Sequence, residues 1–171
     1  AASDVYKRQV KDSIKGGTLE KGIIVPNSDK VTYDYKYNDD GKTITCTIAF
    51  GIIIDKVNFP DEKFRNWLLE QNYGKDGILT AEEIANVKDI DVNDKRISDL
   101  TGIEYFTELT ELDCSVNNLT SLDLSKNINL TKLYCQGCFT TSLNVSNNTK
   151  LTKLDCSYNR LTKLDLSKNT L

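Results

Sequence analysis

"LTELDCSVNNLTSLDLSKNIN" (residues 109–129), "LTKLYCQGCFTTSLNVSNNTK" (130–150) and "LTKLDCSYNRLTKLDLSKNTL" (151–171) are three copies of one 21-residue pattern. Leu109, Leu130 and Leu151 align, as do Leu112, Leu133 and Leu154, and Cys114, Cys135 and Cys156. Within each copy a stretch such as "ELDCS" alternates, so an extended strand points Leu112 and Cys114 one way and Glu111, Asp113 and Ser115 the other. A unit this short cannot bury its apolar edge alone. Neighbouring copies must stack to close a common core.

The spacing is the L-x-x-L-x-L-x-x-[N/C]-x-L pattern of a leucine-rich repeat, with Cys at the third apolar position. Asn117 and Asn159 suit buried amides that satisfy the turning backbone, and Cys138 takes that place in the middle copy. The second half, "LDLSKN", supplies Leu122, Leu124, Leu143, Val145, Leu164 and Leu166 to the opposite wall, and Asn127, Asn148 and Asn169 turn the chain back. At "CFTTS" Thr140 stands where Leu is expected, which predicts a local irregularity. A degenerate half-repeat precedes, with Val87, Ile90, Val92, Ile97 and Leu100 in register and Lys95 in the asparagine place, as suits a terminal unit. The fold class expected is an α/β solenoid of 21-residue leucine-rich repeats over residues 87–171, preceded by a helical cap and an N-terminal β-hairpin.

The cap is expected at 58–86, in "NFPDEKFRNWLLEQNYGKDGILTAEEIANV". Pro60 suits a first helical turn and Asp61 and Glu62 suit its dipole, while Phe64, Trp67 and Leu68 form one apolar face. A second helix begins at Thr80 with Glu83 completing a capping box, and Ile84 and Val87 continue its buried face. The loop between them resembles a worn EF-hand. With Gly77 at the sixth position, Asn72 falls at the first, Gly74 at the third, Asp76 at the fifth and Glu83 at the twelfth. Asn72, Asp76 and Glu83 are therefore the calcium candidates, weakened by the missing side chain at Gly74 and the uncharged Asn72. A helix-turn-helix cap shielding the first repeat is the favoured reading.

Upstream, "VTYDYKY" (31–37) and "TITCTIAF" (43–50) alternate with period two across "NDDGK", a β-hairpin within a partial β-domain assigned to 10–57. Its Tyr stripe suits strand pairing or a core better than a carbohydrate platform. Lys11–Lys30 is too irregular to assign. Ala1–Gln9, "AASDVYKRQ", back-translates to GCA GCG TCA GAT GTG TAT AAG AGA CAG, the end of a transposase-based sequencing adapter. It is read as a translated artefact, and the chain as a fragment truncated at both ends.

Net charge is −3, and setting aside Lys7, Arg8 and Asp4, which together contribute +1, leaves −4. A mildly acidic chain with no basic cluster argues against nucleic acid or an anionic membrane as main partner. No apolar run is long enough to span a bilayer. The absence of His excludes Ser-His-Asp and Cys-His catalysis and His-ligated zinc. Cys135-x-x-Cys138 has redox or zinc spacing, but by register Cys135 is a core residue and Cys138 an asparagine-ladder residue, so free structural thiols are expected. Asp91, Asp113 and Asp155 form a column dictated by the repeat, which does not imply a glycosidase pair, and no catalytic residue is assigned. The outward strand face is the better candidate for binding. Glu111, Asp113, Lys132, Tyr134, Gln136, Lys153, Asp155 and Tyr158 are its partner-binding candidates, in columns that also contain Asp89, Asp91, Asn93, Ser115 and Ser157, with Val116 flanking.

"NFPDEKFRNWLLE", "DGILTAEEI", "ISDLTGIEYFTELTELDCS" and the "LDLSKN" copies together resemble the secreted internalin-like leucine-rich-repeat proteins of Gram-positive bacteria, over about 58–171. The resemblance implies a non-enzymatic adhesion or recognition module, extracellular or on the cell surface. It implies a protein partner, on a host or neighbouring cell, with no nucleic acid and no membrane insertion. Relatives often keep a fuller acidic loop in the cap, from which Asn72 and Gly74 depart. The alternative is a targeting appendage of a larger secreted enzyme, and a calcium-gated cap is a third possibility.

Overall fold

The structure, a computed structural model, describes residues 51–169 and, upstream, only the backbone of four strands. Those strands are β1 (Gly17–Glu20), β2 (Ile23–Pro26), β3 (Lys30–Tyr37) and β4 (Lys42–Ala49). Ala1–Gln9 lies outside the described residues. β3 and β4 pair antiparallel, with Tyr33 opposite Cys46 and Tyr35 opposite Ile44. β1 and β2 form a second antiparallel pair inside the segment that sequence reading left unassigned.

The chain divides into two compact units between Gly51 and Ile52, whereas the sequence reading carries the upstream segment on to residue 57. Ile52–Ile53 (β5) pairs antiparallel with Ile78–Leu79 (β6), and Ile54 N–H donates to Gly77 O at 2.8 Å. Ladder pairing thus ties these residues to the helical segment. The first helix, α1, runs Glu62–Glu70. Pro60 and Asp61 stand outside it, and Asp61 is the N-cap, its carboxylate accepting from Lys63 N and Phe64 N. A carboxylate that accepts two orphan amides stabilises a helix start by more than its place in the dipole would. The second helix, α2 (Ala81–Asn86), has Thr80 as N-cap, and the Thr80–Glu83 capping box is complete.

The solenoid's sheet is parallel, with spatial order β10 (Lys153–Asp155), β9 (Lys132–Tyr134), β8 (Glu111–Asp113), β7 (Asp89–Asp91). Ile90, Leu112 and Leu133 are register partners, and all three are buried. The core continues through Val92, Cys114 and Cys135 to Ile97, Leu119, Leu124 and Val145 on the far wall. Phe59, Phe64 and Leu68 are fully buried and belong to the same apolar cluster as Ile103, Phe106 and Leu109. Each such side chain contributes about 1.5–3 kcal/mol of burial, so cap and first rungs share one core. Leu166 departs from the expected wall and is 45% exposed, because no described rung stacks over it.

Three ladders hold the rungs at fixed spacing. Asn117 Nδ2 donates to Val92 O (2.8 Å), Cys114 O (2.9 Å) and Ser115 O (3.1 Å), and its Oδ1 accepts from Ile97 N (2.8 Å). Asn159 repeats the motif through Cys135 O and Cys156 O, and Cys138 Sγ donates to Cys114 O at 3.3 Å. On the opposite wall Asn127, Asn148 and Asn169 each donate to two carbonyls of the preceding turn. At the strand entry Thr110, Thr131 and Thr152 each donate from Oγ1 to the carbonyl one rung back, at 2.9–3.1 Å. The irregularity at Thr140 is resolved by a side-chain bond: its buried Oγ1 donates to Asn159 Oδ1 at 2.8 Å.

Candidate functional site

The sheet register sets the outward side chains in straight columns. Asp89, Glu111, Lys132 and Lys153 are successive Cα partners, and Asp91, Asp113, Tyr134 and Asp155 form the next column. Rungs in a sheet stand about 4.8 Å apart, so side chains in one column are within reach of their neighbours. Lys132 Nζ bonds Glu111 Oε2 at 2.7 Å, and that hydrogen bond, with the carboxylate's charge, pushes the Lys132 ammonium above its ordinary range. Lys153 Nζ lies 5.0 Å from the centroid of the Tyr134 ring, a cation–π contact.

The carboxylates differ by neighbour. Partial burial raises Asp89, and the charges of Glu111, Asp91 and Asp113 raise it further, with Lys132 opposing them. Asp155 Oδ1 accepts from Ser157 Oγ (2.7 Å) and Ser157 N (3.0 Å), which holds its carboxyl below the usual range. Asp113 Oδ1 accepts from Ser115 N at 2.9 Å, and Asp91 Oδ1 from Asn93 N at 2.9 Å. These Asx turns end β7, β8 and β10 at the same place, where β9 carries Tyr134, and the D-x-S and D-x-N spacings were legible signals for them.

Of the eight candidates, the structure puts Glu111, Asp113, Lys132, Tyr134, Lys153 and Asp155 on the sheet itself, with Gln136 and Tyr158 just past the strand ends. Tyr158 is 87% exposed. Ser115 is a correction. Read as outward-facing, it is fully buried, and its Oγ has no protein hydrogen-bond partner.

In the cap loop the calcium candidates are engaged otherwise. Asn72 Oδ1 accepts from Lys75 Nζ at 3.0 Å, Asp76 Oδ1 from Ile78 N at 3.1 Å, and Glu83 Oε2 from Thr80 N (2.9 Å) and Thr80 Oγ1 (2.7 Å). A Cβ at Gly74 would stand 2.0 Å from Leu68 O, so the third loop position admits no ligand side chain. Among the described residues no group of three Cys, Asp or Glu side chains is arranged to hold a metal ion. Cys114, Cys135, Cys138 and Cys156 are free thiols, and burial pushes each above its ordinary pKa, Cys135 to about 12. Raised pKa values leave little thiolate for redox chemistry or metal ligation at neutral pH. Among the described residues no helix is long and apolar enough to cross a membrane.

Sequence reasoning missed the tie between cap and solenoid. Asp61 Oδ2 accepts from Ser98 N and Ser98 Oγ, both at 2.8 Å, while its Oδ1 caps α1. Partial burial of Asp61 opposes ionisation, but these bonds from Ser98, Phe64 and Lys63 outweigh it and hold the carboxyl below its ordinary range. No local pattern points to that partnership, because 37 residues separate the two.

Residues 59–169 match the family described as the "Endo-beta-N-acetylglucosaminidase EndoS LRR domain". The chain belongs to that family. Internalin J of Listeria monocytogenes serotype 4b is 34% identical over 61% of this chain and 12% of its own length. The serovar 1/2a protein is 35% identical over the same shares. Among solved structures, the functional domain of InlJ from Listeria monocytogenes, described as including a cysteine ladder, superposes with a TM-score of 0.61 at 40% identity. It covers 70% of this chain and 27% of that one. The internalin InlF of the same species gives 0.59 at 26% identity, over 70% of this chain and 35% of that one. The leucine-rich-repeat domain is thus internalin-like and bacterial, and the chain spans 12% of the length of the curated relatives it matches.

Proposed function

We propose that this leucine-rich-repeat domain is a recognition and adhesion module, secreted or displayed on the surface of a Gram-positive bacterium, that binds a partner protein through its concave sheet. The helical segment 58–86 caps the first rung, and the EF-hand-like loop within it serves to turn the chain. The observation that carries the reading is the sheet face. Charged and aromatic side chains stand in straight columns on rungs whose spacing is locked by hydrogen-bond ladders. A preorganised surface of that kind loses little conformational entropy on binding, and Tyr134 is suited to anchor a partner. No bond is made or broken: the mechanism is complementarity.

A screen of the full chain against surface-protein ectodomains tests it. Tyr134→Ala with Lys153→Ala should weaken a specific hit, while Lys126→Ala with Lys168→Ala, both exposed in the turns of the opposite wall, should not. The reverse pattern would overturn the assignment of the face. A second reading, a binding appendage of a larger secreted enzyme, is favoured by the family description, which names an endo-β-N-acetylglucosaminidase. A hydrolase domain in the same open reading frame would select it, and the sheet would then bind the enzyme's protein target.

A further inference from the structure

Three clefts lie in the wall opposite the sheet, with volumes of about 240, 300 and 340 Å³, each sized for one small ring rather than a drug-like ligand. The first runs between Asp99, Thr101 and Glu104 on one rung and Asp123, Ser125 and Lys126 on the next. The second lies between Asp123 and Ser125 and the following Asn144 and Ser146, and the third between that pair and Asp165 and Ser167. The first and second share Leu122, Asp123 and Ser125, and the second and third share Asn144 and Ser146. They therefore form one groove that crosses four successive rungs.

The groove carries the same chemistry at each step. Leu122, Leu143 and Leu164 give it an apolar lining, packed on the core from below. Beside each leucine a polar side chain is held in one orientation: Asp123 Oδ1 accepts from Ser125 N (2.9 Å), Asn144 Oδ1 from Ser146 N (3.0 Å) and Asp165 Oδ1 from Ser167 N (2.8 Å). The Ser125 and Ser167 hydroxyls bond the same carboxylates, and these backbone and side-chain bonds hold Asp123 and Asp165 below the ordinary carboxyl range. A carboxylate has about four acceptor positions, so two serine bonds leave each with capacity for a ligand's hydroxyls. Asn144 Nδ2 has no hydrogen-bond partner among the described residues. Lys126 and Lys168 offset the charge of Asp123 and Asp165.

A groove that repeats selects a ligand that repeats in step with it. Asn148 Nδ2 bonds the carbonyls of Leu124 and Asn127, and Asn147 Nδ2 donates to Ser125 O at 3.1 Å, so successive turns keep close to the sheet's spacing of about 4.8 Å. An extended peptide presents the same face only every about 6.6 Å, out of step with the rungs. A β-1,4-linked pyranose chain is flat and advances by close to one rung per sugar. Its C–H faces suit the leucines, and its equatorial hydroxyls suit Asp, Asn and Ser. The carboxylates along the groove disfavour nucleic acid and other polyanions.

We propose that this groove binds a linear, uncharged β-1,4-linked glycan, one sugar per rung, with ring faces on Leu122, Leu143 and Leu164 and hydroxyls bonded to Asp123, Asn144 and Asp165. The site is separate from the sheet, and neither reading depends on the other.

The test titrates the full chain with cellobiose, cellohexaose and maltohexaose by amide NMR, the last joining the same sugar through α-linkages that coil the chain. Cellohexaose should shift the amides of residues 123–126, 144–147 and 165–168. It should bind about tenfold or more tightly than cellobiose, since only the longer chain spans all three clefts, and maltohexaose should bind no better than cellobiose. Ser146→Leu keeps the backbone N–H that Asn144 accepts but fills the boundary of the second and third clefts. It should leave Tm unchanged and abolish the advantage of the longer chain, whereas Ser157→Leu, past the end of β10, should preserve it. Shifts centred on residues 111–113 and 132–136, equal binding of cellohexaose and either control sugar, or an undiminished advantage in Ser146→Leu would overturn the proposal. So would the absence of any perturbation at millimolar glycan, while the ectodomain screen judges the sheet separately.

Discussion

Replacing Asn117 tests the physical basis of the solenoid. Its carboxamide is 2% exposed and makes four hydrogen bonds, three as donor to Val92, Cys114 and Ser115 carbonyls and one as acceptor from Ile97 N. Val92 and Ile97 are fully buried, so no solvent reaches the backbone groups that Asn117→Ala would orphan. At about 1 kcal/mol per bond, with a larger penalty for a stranded buried amide, the loss should be about 3–5 kcal/mol. Asn117→Cys should cost about half as much, because the chain uses that solution at Cys138, whose Sγ keeps one bond to Cys114 O. Urea denaturation followed by Trp67 fluorescence reads both, Trp67 lying against the buried Phe64 with ring centroids 6.4 Å apart. An alanine cost below about 1 kcal/mol, or a cysteine cost equal to the alanine one, would refute the argument that backbone satisfaction rather than packing sets this residue.

Gly102→Ala should cost about 3 kcal/mol or more, visible as a collapse in Tm, because its φ is 105° and a Cβ would lie 2.1 Å from the fully buried Phe59 ring. Asp61→Ala should lower stability by about 1–2 kcal/mol through loss of the cap. In the native protein the depressed Asp61 carboxyl supports folding above the ordinary carboxylate pKa, and that support should disappear as pH falls through its lowered folded value, an acid sensitivity absent from the Asp61→Ala variant. At the alkaline end Cys135, raised from 9.0 to about 12, contributes stability that is fully present below the unfolded pKa and is lost as pH climbs from 9 toward 12. Cys135→Ser should flatten that limb of a pH–Tm curve. In a Cys46→Ser background, thiol labelling of the native chain at pH 8 should reach the partly exposed Cys156 before Cys114 or Cys135, and the opposite order would contradict the burial of that column.

The repeat was legible because its constraint is local and recurs. Leu112 and Leu133 must point inward at a fixed interval, and an amide must stand where the chain turns, so three copies expose the rule at once. The capping box at Thr80 and Glu83 was legible for the same reason, since both partners lie within one helical turn. What escaped was set by contacts distant in sequence or by context. Asp61 looks like an ordinary first-turn acid until Ser98 is brought beside it. Ser115 stands at an outward place in the alternation, yet it is fully buried. The left-handed backbone at Val116 and Tyr158 is invisible in residue type, because neither residue favours it, and Asp94 and Gly137 in the same column are the hints at it.

The central claim is that the repeat stack presents its concave sheet to a partner protein. Hydrogen exchange of the full chain, alone and with an ectodomain recovered from the screen, tests this most directly. The account predicts added protection along residues 111–113, 132–136 and 153–158. Protection confined to the opposite wall, at residues 123–127, 144–148 and 165–169, would contradict it.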